Sequence, residues 1–446
     1  MKVTFIMPAI GRKRKGAYIQ SWQMEPLGIA VLSALTPPEV DREFFDDRQD
    51  EIPEGIQTDL VAMSVETYTA RRAYQIARRF RKRGIPVVMG GFHPTLVPDE
   101  VRRYADAVVI GDAEPVWGEI LRDAADGTLR PRYDGGHRGD VPAVRPDRRI
   151  FAGKRYPGLS LVETARGCRY HCEFCSITRF YGATYRPRPI ADVIAEIRTL
   201  KNRNVFFVDD NLGADRDRLR RLLTALAKLD FPIRWFSQIS IDAADDPELL
   251  DLMRRSGCVC VLIGFESLEA ENLARMGKRV NRSGAEFDAA VSRLRRHGIS
   301  VYGTFVFGYD ADTPAAFDRT LDFAVRNRMF FAAFNHLVPF PGTAVYERLR
   351  DEGRVEPEWW LSERYRFGQV AFQPRNLGPD ELEDLCFSYR QKFYDPRNIL
   401  RRGMDRRANC ASLFKAAVFF IYNVLSLREV RERQMLPLGV SWEEGP

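Results

Sequence analysis

Three of the chain's seven cysteines fall within eight residues, in the stretch Gly167-Cys168-Arg169-Tyr170-His171-Cys172-Glu173-Phe174-Cys175. Spaced at i, i+4 and i+7 behind a strand-like Ser160-Leu161-Val162-Glu163, they must share one short loop. A loop of that kind can wrap one corner of a cubane and give thiolates to three of its four irons. Clusters are usually held by four cysteines. No fourth lies nearby, so one iron is expected to keep an open position. The rival reading is a structural zinc loop with His171 as fourth ligand. Zinc sites usually pair Cys-x-x-Cys units from two separate segments, and this chain has no second such pair.

Around that loop, short apolar runs alternate with helical periodicity. Before it, strands are predicted at Val3–Met7, Arg42–Phe45, Leu60–Val65, Pro86–Met89 and Ala107–Ile110, with helices over Pro26–Leu35 and Ala70–Arg83. A stretch from about 132 to 154, rich in Gly, Pro, Arg and Asp, reads as a linker. After the cysteines, strands are predicted at Val205–Val208, Trp235–Ser240, Val261–Ser267, Val301–Gly308 and near Phe331–Leu337. The pattern is that of an α/β protein with parallel sheets and ligands at the C-terminal ends of the strands. The expected division is a Rossmann-like domain over 1–131, a linker over 132–154, a second α/β unit over 155–349 and a helical cap over 350–446.

The cysteine stretch resembles the radical S-adenosylmethionine (radical SAM) superfamily, whose signature is Cys-x-x-x-Cys-x-aromatic-Cys. Cys168, Cys172, Phe174 and Cys175 match it without a gap. The resemblance implies a partial (β/α)6 barrel and a [4Fe-4S] cluster whose open iron chelates the amino and carboxylate groups of SAM. It also implies an electron donor such as flavodoxin or ferredoxin. Carried onto this chain, SAM would be met by Phe174, by Asp209, Asp210 and Asn211, by Gln238, Ser240 and Asp242, and by Gly264 and Glu266. Asp209 and Asp210 also suit a helix cap. Glu266, inside an apolar strand, requires a partner because an unpaired buried charge is costly.

The N-terminal part resembles the cobalamin-binding domain that precedes many radical SAM cores. Cobalamin would then be met by Ser64, Glu66 and Thr67, by Gly90, Gly91 and His93, and by Gly111 and Glu114. The Asp-x-His-x-x-Gly motif of methionine-synthase-type domains is missing, and the corresponding loop carries Arg12-Lys13-Arg14-Lys15. Two readings stay open: cobalt without a protein lower ligand, or a retained fold that no longer binds it. His93 also reads as a loop residue against Pro94 that caps the helix beginning near Pro98.

The formal charge of +7 is spread among acids without an arginine-rich tract, so no nucleic-acid partner is expected. An odd cysteine count suits a reducing cytoplasm, and no run approaches the about 18 apolar residues of a membrane span. Cys258 and Cys260 read as buried, inert thiols. Tyr302 and His336 are candidates to face the cavity as catalytic groups. By resemblance the helical tail covers the barrel mouth. Residues 411–427 form an apolar helix interrupted by Lys415 and Asn423, to be docked on protein or laid on a membrane surface.

The expected activity is cobalamin-dependent methylation of an unactivated carbon in a small molecule or lipid. The alternatives are 3-amino-3-carboxypropyl transfer to an anionic acceptor without cobalamin, radical cyclisation or rearrangement, and a non-enzymatic cluster carrier.

Overall fold

Strands that are covered on both faces read as continuous apolar runs, and the first sheet is built from them. A computed structural model describes residues 1–11, 23–137, 141–278 and 284–440. Its first sheet contains β1 (Lys2–Met7), β2 (Asp41–Asp46), β3 (Leu60–Ser64), β4 (Val87–Gly90), β5 (Ala107–Gly111) and β6 (Arg132–Gly136). The order is β2-β1-β3-β4-β5-β6 and every pairing is parallel. The chain leaves β1 toward β2 and leaves β3 the other way toward β4, so a ligand crevice is expected where β1 and β3 diverge at their C-terminal ends. Val3 and Phe5 pack with Trp117 on one face, and Ile6 and Met63 pack with Ile76 and Phe80 on the other.

The sixth strand lies in the stretch expected to be a linker. Its sequence, Arg132-Tyr133-Asp134-Gly135-Gly136, buries only Tyr133 fully. An edge strand with one inward side chain has no apolar run to announce it.

The second sheet contains β7 (Ser160–Val162), then β10 (Asn204–Phe207), β11 (Arg234–Gln238), β12 (Cys258–Glu266), β13 (Ser300–Phe307) and β14 (Phe331–His336). A two-residue antiparallel ribbon, β8 (Ala165–Arg166) with β9 (Arg186–Pro187), flanks the cysteine loop. The order β14-β13-β12-β11-β10-β7 is parallel throughout and leaves β7 and β14 unjoined. Side chains alternate between faces. Phe265 and Phe305 pack under the outer helices with Phe287 and Phe323, while the half-buried Phe206, Phe236, Leu262 and Tyr302 project to the concave side.

The C-terminal helices run along the open edge and floor of this sheet, and the first of them, Pro379–Phe393, starts at its mouth, where Leu382 and Phe372 close on Gly308 after β13. An uncovered edge strand offers a row of free carbonyls. Tyr394 Oη donates to Ala332 O at 3.1 Å and an Arg390 guanidinium N–H to Phe334 O at 2.8 Å, both from the β14 edge. Arg402, fully buried, donates to Met329 O, Phe330 O and Phe393 O. Its desolvation pulls the guanidinium down to about 9. At the N-terminal ends of the strands, Lys415 Nζ donates to Val259 O and Gly298 O at 3.0 and 2.5 Å. The mouth side also carries an aromatic segment of this C-terminal part. There Trp359 and Phe367 pack on Tyr68 at 5.3 and 5.1 Å, and Trp360 Nε1 donates to Glu100.

Candidate active site at the facing strand tips

The cysteine loop has its shape imposed from three sides. Gly167 has φ +82°, and a Cβ there would lie 2.2 Å from Thr184 O, so the ribbon closes only around glycine. Its amide donates to Asp210 Oδ2 at 2.9 Å. Glu173 N donates to Met276 O at 3.1 Å, Glu173 O accepts from Val345 N at 3.1 Å, and its carboxylate pairs with Arg348 at 3.0 Å. Phe174 packs half-buried against the main core.

All three thiols are free, Cys172 buried and Cys168 and Cys175 half-buried. Burial pushes the Cys172 thiol up to about 11 against the pull of Lys278, and it raises Cys168 as well. Cys168 and Cys172 each feel the charge of Cys175. Among the described residues, no three His, Cys, Asp or Glu side chains converge on one point as ligands of a single ion do. Three soft donors on one loop, mutually near yet not convergent, suit a cluster in which each thiolate takes a different iron.

The tips of β10–β12 hold the residues expected to meet SAM, with a division of labour the sequence did not reveal. Asp209, buried, accepts from Thr164 N and Oγ1 at 2.9 and 2.6 Å, so it ties the β10 tip to the turn after β7. Burial raises its carboxyl to about 6. Asp210, also raised to about 6 by burial, shapes the cysteine loop through Gly167. Asn211 and Ser240 join neighbouring tips, Nδ2 donating to Oγ at 2.7 Å. Asp242 pairs with Arg216 at 2.7 Å. Gln238 ends β11 half-buried, and its carbonyl accepts from Leu212 N.

Glu266 does not reach freely from its strand. It sits at φ +64° beside a register shift in β12 and pairs with Lys278 Nζ at 2.5 Å. Its carboxylate folds over Gly264, where a Cβ would lie 2.1 Å from Oε1. A non-glycine residue held in the left-handed region stores about 1–3 kcal/mol, and such strain clusters at functional sites. Lys278 is the partner of Glu266 that sequence reading passed over. The demand that a buried glutamate have a partner was the available signal.

At the tips of the first sheet, Ser64 and Gly91 adjoin. Gly91 has φ +109°, and a Cβ there would lie 2.9 Å from Val65 O and 3.4 Å from Ser64 Oγ. Gly90 lies over Val109, and Gly111 against Gly136 O. Glu66 is exposed on this crevice, yet the protein around it raises its carboxyl while Arg48 pulls it down, as expected on the wall of a cleft. The segment Arg12–Lys15 lies outside the described residues.

His93 turns away from the crevice. It is fully buried, with its ring nitrogens 3.3 Å from Thr67 Oγ1, 3.1 Å from Tyr74 Oη and 3.0 Å from Glu100 Oε1. Nor is it a loop residue capping the next helix: it lies within the helix Phe92–Leu96, and Val97 caps the helix Pro98–Val101, whose Glu100 it contacts. Glu114 pairs with Arg166 at 2.5 Å.

The two sets of tips face each other. Arg166, just after β7, contacts Glu114, Asp112 at 3.2 Å and Glu163 at 2.9 Å. Arg186 meets Asp112 at 2.6 Å. Phe92, directly after Gly91, packs on Phe180 of the helix that follows the cysteines, at 4.4 Å. Burial pushes Glu163 up to about 7 despite Arg166.

Neither catalytic candidate combines a place at these tips with a side chain on the concave face. Tyr302 is the third residue of β13, so five further residues, roughly 16 Å of strand, separate it from the tip. His336 ends β14, but it shares a face with Phe334, which packs on Phe305 and Phe393 away from the concave side. Its Nδ1 is 3.0 Å from Leu337 O, and burial lowers its pKa to about 4.

Comparison with known proteins agrees with this architecture. A family model described as the radical SAM superfamily matches residues 162–324. The chain is 32% identical over 397 residues to bacteriochlorophyllide d C-12(1)-methyltransferase of Chlorobaculum tepidum, covering 86% of each. It is 31% identical over 440 residues to the C-8(2)-methyltransferase of the same organism, covering 93% of this chain and 96% of the relative. Its fold superposes on the radical SAM methyltransferase TsrM from Kitasatospora setae with a TM-score of 0.68 at 16% identity, over 97% of this chain and 99% of that one.

Proposed function

The chain belongs to the radical SAM superfamily, in its B12-binding, class B methyltransferase-like branch, and on that premise we propose that it methylates an unactivated carbon of a mainly apolar, ring-bearing small molecule, using cobalamin. The observation that carries this reading is the apposition of the two sets of strand tips. Phe92 on Phe180 and Arg166 on Asp112 and Glu114 hold the Ser64–Gly91 crevice beside the cysteine loop. Two cofactors that must act on one substrate need that proximity.

In this reading Cys168, Cys172 and Cys175 ligate the cluster, and Ser64, Glu66 and the glycine tips line the cobalamin crevice. When bound, the cluster and SAM supply hydrogen-atom abstraction, and cobalamin supplies the methyl group. Asp210 fixes the loop through Gly167, and the Asn211–Ser240 pair sets the neighbouring tips for SAM. Lys278 places a positive charge beside Cys172 and Cys175 and is itself held by Glu266. Phe206, Phe236 and Leu262 give the concave face an apolar lining suited to a ring system and hostile to water. The substrates in the relatives' names are bacteriochlorophyllides, and a chlorin-type pigment is the first class to try.

The test is the product profile of anaerobically purified, reduced protein given SAM, methylcobalamin and a chlorin carboxylate. The expected products are 5′-deoxyadenosine, S-adenosylhomocysteine and a substrate heavier by one methylene. Formation of 5′-methylthioadenosine by protein that retains no cobalamin would replace this reading with aminocarboxypropyl transfer.

A further inference from the structure

Among the described residues, the large hydrophobic side chains left exposed are gathered at one place. Six of the seven are Leu400 and Met404, at 62% and 65%, and Leu413, Phe420, Ile421 and Val424, at 92%, 39%, 55% and 59%. They lie on the helix Pro396–Gly403, just beyond its end, and on the helix Leu413–Arg433. On the longer helix they recur at i, i+7, i+8 and i+11, which is one stripe. Gly403 brings the two helices together, since a Cβ there would lie 2.8 Å from the Phe420 ring.

The long helix is apolar on both faces: Phe419 is buried, and Phe414, Val418 and Tyr422 pack on the core. Lys415 and Asn423, the polar residues that interrupt its apolar run, face inward. Lys415 is spent on Val259 O and Gly298 O, and Asn423 donates to Phe330 O at 3.2 Å. Docking on the protein therefore consumes the polar groups and leaves the apolar stripe outside. A single-chain protein rarely exposes such a patch without a use.

The charge around the patch selects the occupant. Arg397, Arg401, Arg406, Arg407 and Arg428 are exposed around it. Between residues 396 and 440 the carboxylates are Asp405, Glu429 and Glu432. Asp405 and Glu429 are buried, Asp405 pairing with Arg295 at 2.8 Å, and the half-buried Glu432 pairs with Arg428 at 2.5 Å. Asp395, at the N-cap of the shorter helix, is the exposed acid next to this stretch, against five exposed arginines; an apolar stripe with so cationic a rim fits a lipid surface carrying negative headgroups. No helix among the described residues is long and apolar enough to cross a membrane, so the contact is interfacial.

We propose that the Leu400–Val424 patch is a peripheral docking surface for an anionic lipid bilayer. The patch lies on the covered edge and floor of the second sheet, so docking leaves the facing strand tips free. The proposal is independent of the substrate.

The test is sedimentation of the full, cluster-loaded protein with vesicles of phosphatidylcholine alone or with about a third phosphatidylglycerol. Binding to the anionic vesicles is expected to exceed binding to neutral ones at least tenfold and to fall as salt is raised. Ile421→Glu with Val424→Glu should reduce it at least tenfold, and Arg401→Ser with Arg407→Ser should reduce it severalfold. Circular dichroism and SAM cleavage in solution should be unchanged. Ile421→Ser with Val424→Ser is a milder pair if the glutamates impair folding. Equal or absent binding to both vesicle types overturns the proposal. So does a concentration-dependent dimer that the Ile421 variant dissolves without any vesicle binding, which would assign the patch to a second copy of this chain.

Discussion

Lys278 Nζ lies 2.5 Å from Glu266 Oε1, and both are drawn under the cysteine loop by Met276, whose carbonyl accepts from Glu173 N at 3.1 Å. The pair therefore links the β12 tip to the loop at Cys172. Removing one partner of a buried ion pair costs about 3–5 kcal/mol. Glu266→Gln keeps the backbone strain and is expected to destabilise by about 3 kcal/mol and to lower Tm by several degrees. Glu266→Gly relieves the φ +64° conformation yet loses the same pair. It should be less destabilised than Glu266→Gln while losing SAM affinity to a similar degree. Thermal unfolding and isothermal titration under nitrogen compare the two.

Cys168→Ala, Cys172→Ala or Cys175→Ala should each remove most of the bound iron and the visible absorbance of the cluster. Cys258 and Cys260 should behave differently. Both are buried, and desolvation raises both thiols, Cys260 to about 12. Their alkylation by iodoacetamide at pH 8 should be slow in folded protein and fast after denaturation, as mass mapping of the modified peptides would reveal.

Gly167→Ala is expected to lower iron content as strongly as a cysteine variant while keeping all three thiols. The added Cβ would meet backbone, Thr184 O at 2.2 Å, which cannot yield as a side-chain end can. Gly91→Ala should leave iron content intact and weaken cobalamin retention, since its Cβ would press on Val65 O and toward Ser64. Normal cobalamin content in Gly91→Ala would count against the crevice assignment.

Arg166→Met strands Glu114 and Glu163 without their shared cation, while Asp112 keeps Arg186. A loss of about 3–5 kcal/mol is expected, together with faster proteolysis between the two sheets. Protease sensitivity equal to that of the parent protein would show that the Phe92–Phe180 contact alone suffices.

His336 should contribute to acid lability. Its folded pKa is lowered from 6.5 to about 4 because burial disfavours the charged ring. The folded state then binds fewer protons than the unfolded state. This stabilisation is complete above about pH 6.5 and is lost as pH falls toward 4, at most about 3 kcal/mol. His336→Phe should flatten the pH dependence of Tm over that window.

Much of this protein was legible along the chain. The cysteine spacing and its aromatic residue pointed to the cluster, and runs such as Val3–Met7 and Val301–Phe307 read as buried parallel strands because both of their faces are covered. Such signals are local: a loop either brings three thiols together or does not. Glu266 required a partner because of where it stood in its strand. What escaped was set by contacts distant in sequence. β6 carries one inward tyrosine and so no pattern, His93 looked like a ligand until Tyr74 and Glu100 closed around it, and Asp209 proved to hold Thr164.

By itself, then, the sequence determined the cluster loop, the strand–helix alternation and the superfamily, because local spacing and periodicity carry them. Only the tertiary structure decided which polar side chains are spent on the framework and which remain for ligands. It also decided that the last helix turns Lys415 and Asn423 inward and its apolar stripe outward. A side chain's hydrogen-bond partner and facing direction depend on what the fold brings beside it, and spacing along the chain does not encode that.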